Sequence, residues 1–164
     1  MLFSRAERAD FPELTTLYRA ATQRMIDQKI EQWDEIYPDC RVIREDISRG
    51  MMDAGRLDGK IAVAYSLEFC REGGYEPAAW RYAVPYFAVL HRLCVHPDFQ
   101  GRGVAGETMV HLEEAIRSRG IFAVRLDAFS QNPVALHLYE SRGYLKAGEI
   151  TYRKGLFYLY EKKL

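Results

Sequence analysis

Two rhythms of hydrophobic residues mark out the elements of this chain. One repeats every second position and the other every third or fourth. Residues 1–5 fit a first strand. Leu14, Leu17, Tyr18, Ala21 and Met25 then recur at helical spacing, so the helix they form has one buried face. Asp10 is its expected N-cap, with Pro12 in the first turn. A shorter helix is predicted over 41–49, ending at Gly50. Asp58-Gly59 joins two alternating runs, 52–57 and 60–68, as a hairpin turn. Residues 71–83, with Gly73-Gly74, Pro77, Trp80 and Tyr82, read as an irregular excursion. A strand over 86–95 lies between Pro85 and Pro97. A helix over 103–119 turns Ala105, Met109, Leu112 and Ile116 inward and stops at Gly120. A strand over 123–129, a short helix over 133–141 and an antiparallel pair over 144–151 and 156–162 complete the chain. The order βααβββαβαββ predicts an α/β fold, a mixed sheet of about seven strands with helices on both faces.

The 164 residues fit a single domain, 1–164. Apolar content of 48% with 28% charged residues supports a soluble globule with a core. Zero formal net charge argues against a nucleic-acid partner. No apolar run is long enough for a membrane span, and the N-terminus is charged too early for a signal peptide. Cys40, Cys70 and Cys94 lack disulfide or zinc-ribbon spacing, which favours a reducing cytoplasm. His91 and Cys94 lie three apart on a strand and face opposite ways, so no metal site is expected.

The richest chemistry lies in Gln100-Gly101-Arg102-Gly103-Val104-Ala105-Gly106, a Q-x-x-G-x-A run between an apolar strand and a helix. Backbone amides at such a helix start suit a phosphate or pyrophosphate. No Gly-Lys-Ser/Thr follows, so this is not a Walker loop. The G-x-G-x-x-G spacing lacks the strand-first βαβ opening of a dinucleotide fold. A second block, Asn132-Pro133-Val134-Ala135-Leu136-His137-Leu138-Tyr139-Glu140-Ser141-Arg142-Gly143-Tyr144, follows at a characteristic distance. Together the two blocks resemble the GNAT superfamily of acyl-CoA-dependent N-acetyltransferases, and the resemblance covers nearly the whole chain.

That resemblance implies acetyl-CoA as cosubstrate and direct attack by a primary amine in a ternary complex. Gly101, Arg102, Gly103, Val104, Ala105 and Gly106 would hold the pyrophosphate. The backbone of Leu93, Cys94 and Val95 would pair with the pantetheine arm and stabilise the oxyanion, and Asn132 would bond the same arm. The side chains of Leu93 and Val95 read as core. Tyr139 matches the family's general acid. A leaving thiolate has a conjugate pKa of ~8.5 and a phenol ~10, so a positioned phenol can release its proton as the C–S bond breaks. The alternative for Tyr139 is an aromatic that packs the short helix.

Asp127 is the candidate base, since Val124, Leu126 and Ala128 take the other face of its strand. A structural carboxylate paired with Arg125 or a loop amide is the competing reading. Glu68, at the end of its predicted strand, and His91 are further candidates at the substrate pocket. His96, His111 and His137 fit turn or helix-surface positions.

Acceptor choice is assigned to the first helices and the excursion. Residues 24–39 carry five acids, Asp27, Glu31, Asp34, Glu35 and Asp39, against Arg24 and Lys29. Such a rim would attract a small cationic amine, and Trp33 and Tyr37 could wall its pocket. A solvated helix end with core aromatics explains the same residues. A protein N-terminal amine is the alternative acceptor, and a non-catalytic acyl-CoA sensor is the rival function. Tyr139 and Asp127 together argue for the enzyme. The apolar final strand would suit either a monomer or a homodimer.

Overall fold

Asp58 and Gly59 both take left-handed backbone angles, φ 50° and 78°. They close the hairpin between β2, Met52–Leu57, and β3, Lys60–Arg71. The computed structural model describes residues 1–71, 73 and 75–164. Gly74, half of the Gly73-Gly74 pair, lies outside the described residues.

The remaining strands are β1 (Leu2–Arg5), β4 (Tyr86–Val95), β5 (Ala123–Phe129), β6 (Leu145–Tyr152) and β7 (Gly155–Lys163). The helices are α1 (Phe11–Asp27), α2 (Cys40–Ser48), α3 (Val104–Ser118) and α4 (Pro133–Glu140). Seven strands form one sheet in the order β1-β2-β3-β4-β5-β7-β6. β4 runs parallel to β5, while β5–β7 and β6–β7 are antiparallel, so the sheet is mixed as predicted.

The chain divides into two compact units, Met1–Leu67 with Arg92–Thr108, and Glu68–His91 with Met109–Leu164. In the first unit Leu14, Leu17, Tyr18 and Ala21 of α1 and Ile43 and Ile47 of α2 bury against Met52, Ala54, Ile61 and Ala64. Val104, at the start of α3, packs in a separate cluster with Ala62, Val63, Leu93 and Val95. Cys94 joins the α1–α2 cluster while its neighbours Leu93 and Val95 join the other, as alternation along a strand requires. This unit therefore carries helices on both faces of its strands.

In the second unit Phe87, Val89 and Ala123 pack with Cys70, Tyr75 and Val84. The excursion after β3 is anchored here. Ala79 N–H donates to the Ala147 carbonyl at 3.1 Å, the Arg125 guanidinium donates to the Tyr82 carbonyl at 3.3 Å, and Arg81 N–H donates to the Glu161 carboxylate. The Trp80 ring lies 4.3 Å from the Arg125 guanidinium.

Two local expectations need correction. The Asp10 side chain does not cap α1. Asp10 is itself in the right-handed helical region, and its carboxylate accepts from Glu7 N–H at 2.9 Å and from Arg56 at 2.6 Å. β3 also runs on to Arg71, so Glu68 lies inside the strand rather than at its end. Its pattern weakens past Leu67 because burial there falls from continuous to alternating.

Candidate active site

The amide loop has the backbone its sequence requires. Gly101 and Gly103 sit at φ 73° and 77°, where an L side chain is strained. A Cβ at either position would meet nothing within 4 Å, so the backbone angle, not crowding, selects glycine. The first intrahelical bond of α3 runs from Glu107 N–H to the Gly103 carbonyl at 3.0 Å. The amides before it lie in the first turn, where no acceptor exists within a helix. Gln100 closes the loop from below, its side-chain amide donating to the Val95 carbonyl at 3.0 Å. The Arg102 guanidinium lies 5.6 Å from the Phe99 ring. Amides without an intrahelical acceptor at a helix start are the kind of donor that suits a pyrophosphate.

β4 keeps register with β5 over Ala88, Val89 and Leu90. Two residues later Arg92 adopts φ 53°, costly for a side chain of its size. Several bonds hold it there. Its Nε and Nη2 lie 2.8 and 2.6 Å from the Asp46 carboxylate, which also accepts from Ser66 at 2.6 Å. Its Nη1 donates to the Tyr37 hydroxyl at 2.9 Å, and the Tyr18 hydroxyl donates to its carbonyl at 2.9 Å. Leu93, Cys94 and Val95 follow directly. Burial pushes the Cys94 thiol pKa well up, which leaves it inert as a nucleophile.

In the second unit Tyr139 is 7% exposed, its ring 5.7 Å from Tyr144 and 6.3 Å from Tyr160. Burial raises its phenol pKa, and the Asp127 charge raises it further. It therefore stays protonated throughout the neutral range. Transfer to a thiolate is uphill and has to accompany C–S cleavage. Asn132 is the N-cap of α4, its Oδ1 accepting from Ala135 N–H at 3.1 Å. Asp127 accepts a 2.7 Å hydrogen bond from the Tyr75 hydroxyl. His91 Nε2 lies 3.5 Å from Glu68 Oε2, and the His91 ring meets Tyr75 edge-on at 6.2 Å. Three groups proposed from sequence, Asp127, His91 and Glu68, are thus linked through Tyr75, which sequence reasoning missed. Only its place in an aromatic-rich excursion could have marked it.

The acceptor residues divide differently. Trp33 is a core residue of the first unit, 7% exposed and 5.7 Å from Tyr18. Tyr37 is exposed and tied to Arg92. Asp39 caps α2 through Arg41 and Val42 N–H, and the Val42 bond, followed by the Arg41 guanidinium, holds its carboxyl below the usual range. Asp34 accepts from Ile36 and Tyr37 N–H. Two of the five rim acids therefore shape their own loop. No candidate metal cluster occurs among the described residues.

The family model for the Acetyltransferase (GNAT) family matches residues 14–144, and the chain belongs to that family. It is an acyltransferase by that membership. A curated relative, the [ribosomal protein bS18]-alanine N-acetyltransferase of Salmonella typhimurium, is 34% identical over 70 residues. That match spans 43% of this chain and 45% of the relative, somewhat under half of each. A GNAT acetyltransferase from Streptococcus agalactiae superposes with a TM-score of 0.85 at 21% identity, over 99% of this chain and 95% of its own. The PaiA N-acetyltransferase of Thermoplasma acidophilum, solved with coenzyme A, gives 0.74 at 18% identity, over 99% and 98%. Both share the fold.

Proposed function

We propose that this enzyme transfers the acetyl group of acetyl-CoA to the α-amine of a polypeptide N-terminus. The glycine-shaped amide loop at the start of α3 carries the cosubstrate assignment. Gly101 to Gly106 bind the pyrophosphate, and the backbone of Leu93, Cys94 and Val95 holds the pantetheine arm and the oxyanion, with Asn132 bonding the arm. Asp127 receives the proton of the acceptor amine and Tyr139 protonates the departing thiolate.

The curated relative named as a ribosomal protein bS18 alanine N-acetyltransferase supports a polypeptide acceptor, as does the use of Asp34 and Asp39 inside their own loop. A small cationic amine is the second reading, favoured by exposed Asp27, Glu31 and Glu35. An α-amine with a pKa of ~7.7–8.0 is also far easier to deprotonate at neutral pH than a lysine-like amine of ~10.4.

Thiol release from acetyl-CoA, measured with an alanine-initiated peptide and with 1,4-diaminobutane, separates the two. The expected result is a higher kcat/KM for the peptide. A preference for the diamine establishes the second reading. No titration heat with acetyl-CoA would overturn the cosubstrate assignment.

A further inference from the structure

Tyr75 has no place in the mechanism above, yet its hydroxyl is the group in contact with the proposed base. It donates to Asp127 Oδ1 at 2.7 Å across 52 residues of sequence. Its ring stacks on Trp80 at 6.0 Å, and Trp80 rests on Arg125. It also packs, partly buried, against the cluster of Phe87, Val89 and Ala123. A surface tyrosine making an incidental bond would not be clamped in this way.

We propose that the Tyr75 hydroxyl meets the acceptor amine and relays its proton to Asp127. This rests on the reading of Asp127 as base. A hydroxyl that donates to a carboxylate still has lone pairs able to accept from an ammonium donor. One ammonium proton passes to the Tyr75 oxygen as the Tyr75 proton passes to Asp127. The neutral amine attacks, the C–N bond forms, the C–S bond breaks, and Tyr139 gives its proton to sulfur. The second nitrogen proton leaves to water, water reprotonates Tyr139, and Asp127 returns its proton to solvent. Net, one proton is released per acetyl transferred.

The charged and titratable groups around this pair come from several elements. Glu76 lies on the same segment and Tyr152 on β6, and both act on Tyr75 electrostatically. His91 on β4 meets the ring, with Glu68 of β3 behind it. Cys70 of β3 packs beside it, Arg125 of β5 lies beneath Trp80, and Tyr139 of α4 feels the Asp127 charge. Burial, then the charge and hydrogen bond of Asp127, push the Tyr75 phenol pKa up, so it remains a proton donor to Asp127 at every working pH.

The test is the pH profile of kcat/KM with the alanine-initiated peptide for the wild type, Tyr75→Phe and Asp127→Asn. Tyr75→Phe is expected to lose ~10–100-fold below the amine pKa of ~8, with the loss narrowing above it, where the amine is already neutral. A loss of equal size at every pH, the signature of a merely structural residue, overturns the relay. A wild-type profile also overturns it. If Asp127→Asn is as active as wild type, the base assignment has failed. If Asp127→Asn is crippled while Tyr75→Phe is not, only the relay has.

A proton inventory on the wild type in mixed H2O and D2O needs no variant. Curvature below the amine pKa that vanishes above it supports two protons moving together. The same form at both pH values refutes it.

Discussion

Tyr139 is buried among aromatics and still has chemistry open to it. Removing only its hydroxyl, with Tyr139→Phe, keeps the contacts to Tyr144 and Tyr160. It is expected to lower kcat by ~10²–10³-fold with little change in acetyl-CoA affinity, read by steady-state kinetics and calorimetry. Unchanged turnover at neutral pH would remove Tyr139 from the acid role. Tyr139, Asp127 and the loop glycines could be singled out from the sequence because each lies in a local run whose spacing carries meaning; of these, the structure bears on the left-handed backbone of Gly101 and Gly103. Tyr75 and Arg92 were not. The partner of Tyr75 lies 52 residues away, and the left-handed backbone of Arg92 is held by Asp46, Tyr37 and Tyr18 from α2, a loop and α1. Non-local contacts of this kind leave no periodic trace. Trp33 shows the reverse. Its composition suited a pocket wall, and tertiary packing made it core.

Among the elements, β2 is tightly constrained at one glycine. Gly55 sits at the β2–β3 register shift. A Cβ there would lie 2.7 Å from Val63 Cγ1, 2.8 Å from Phe3 Cε1 and 2.9 Å from Met1 Sδ. Gly55→Ala must push against three side chains at once. It is expected to destabilise by about 1–3 kcal/mol, measured by urea unfolding, without altering the amide loop. A stability equal to wild type would mean that this corner yields freely. Element type and order were legible throughout, because periodicity and the Asp58-Gly59, Gly120 and proline signals agree. Element ends were less so. Asp10 has the right identity for a cap, but the bond to Arg56, 46 residues away, and the turn at Glu7 claim its carboxylate first.

At the scale of the whole molecule, net charge is zero, and buried phenols bear on the response to alkaline pH. Folding raises the pKa of Tyr18, Tyr65, Tyr75, Tyr139, Tyr144 and Tyr160, with burial the leading cause in each. A raised pKa gives stability that is complete below the unfolded value and is lost as pH climbs towards the folded one. Cys94 has the same sign, starting from a lower unfolded value. Melting temperature is therefore expected to fall from about pH 8.5 and steeply beyond about pH 10. Circular dichroism melts across that range check it, and a constant melting temperature to pH 11 would contradict it. Among the described residues no helix is long and apolar enough to cross a membrane.

The two tryptophans fall one to each compact unit, Trp33 in the first and Trp80 in the second. Trp33 lies against a phenol ring and Trp80 over a guanidinium, so their emission differs in environment. Replacing either by phenylalanine leaves a fluorophore that reports on the other unit alone. The chain thus carries a built-in pair of optical probes. If residues 1–164 form a single cooperative domain, their two denaturation curves superimpose.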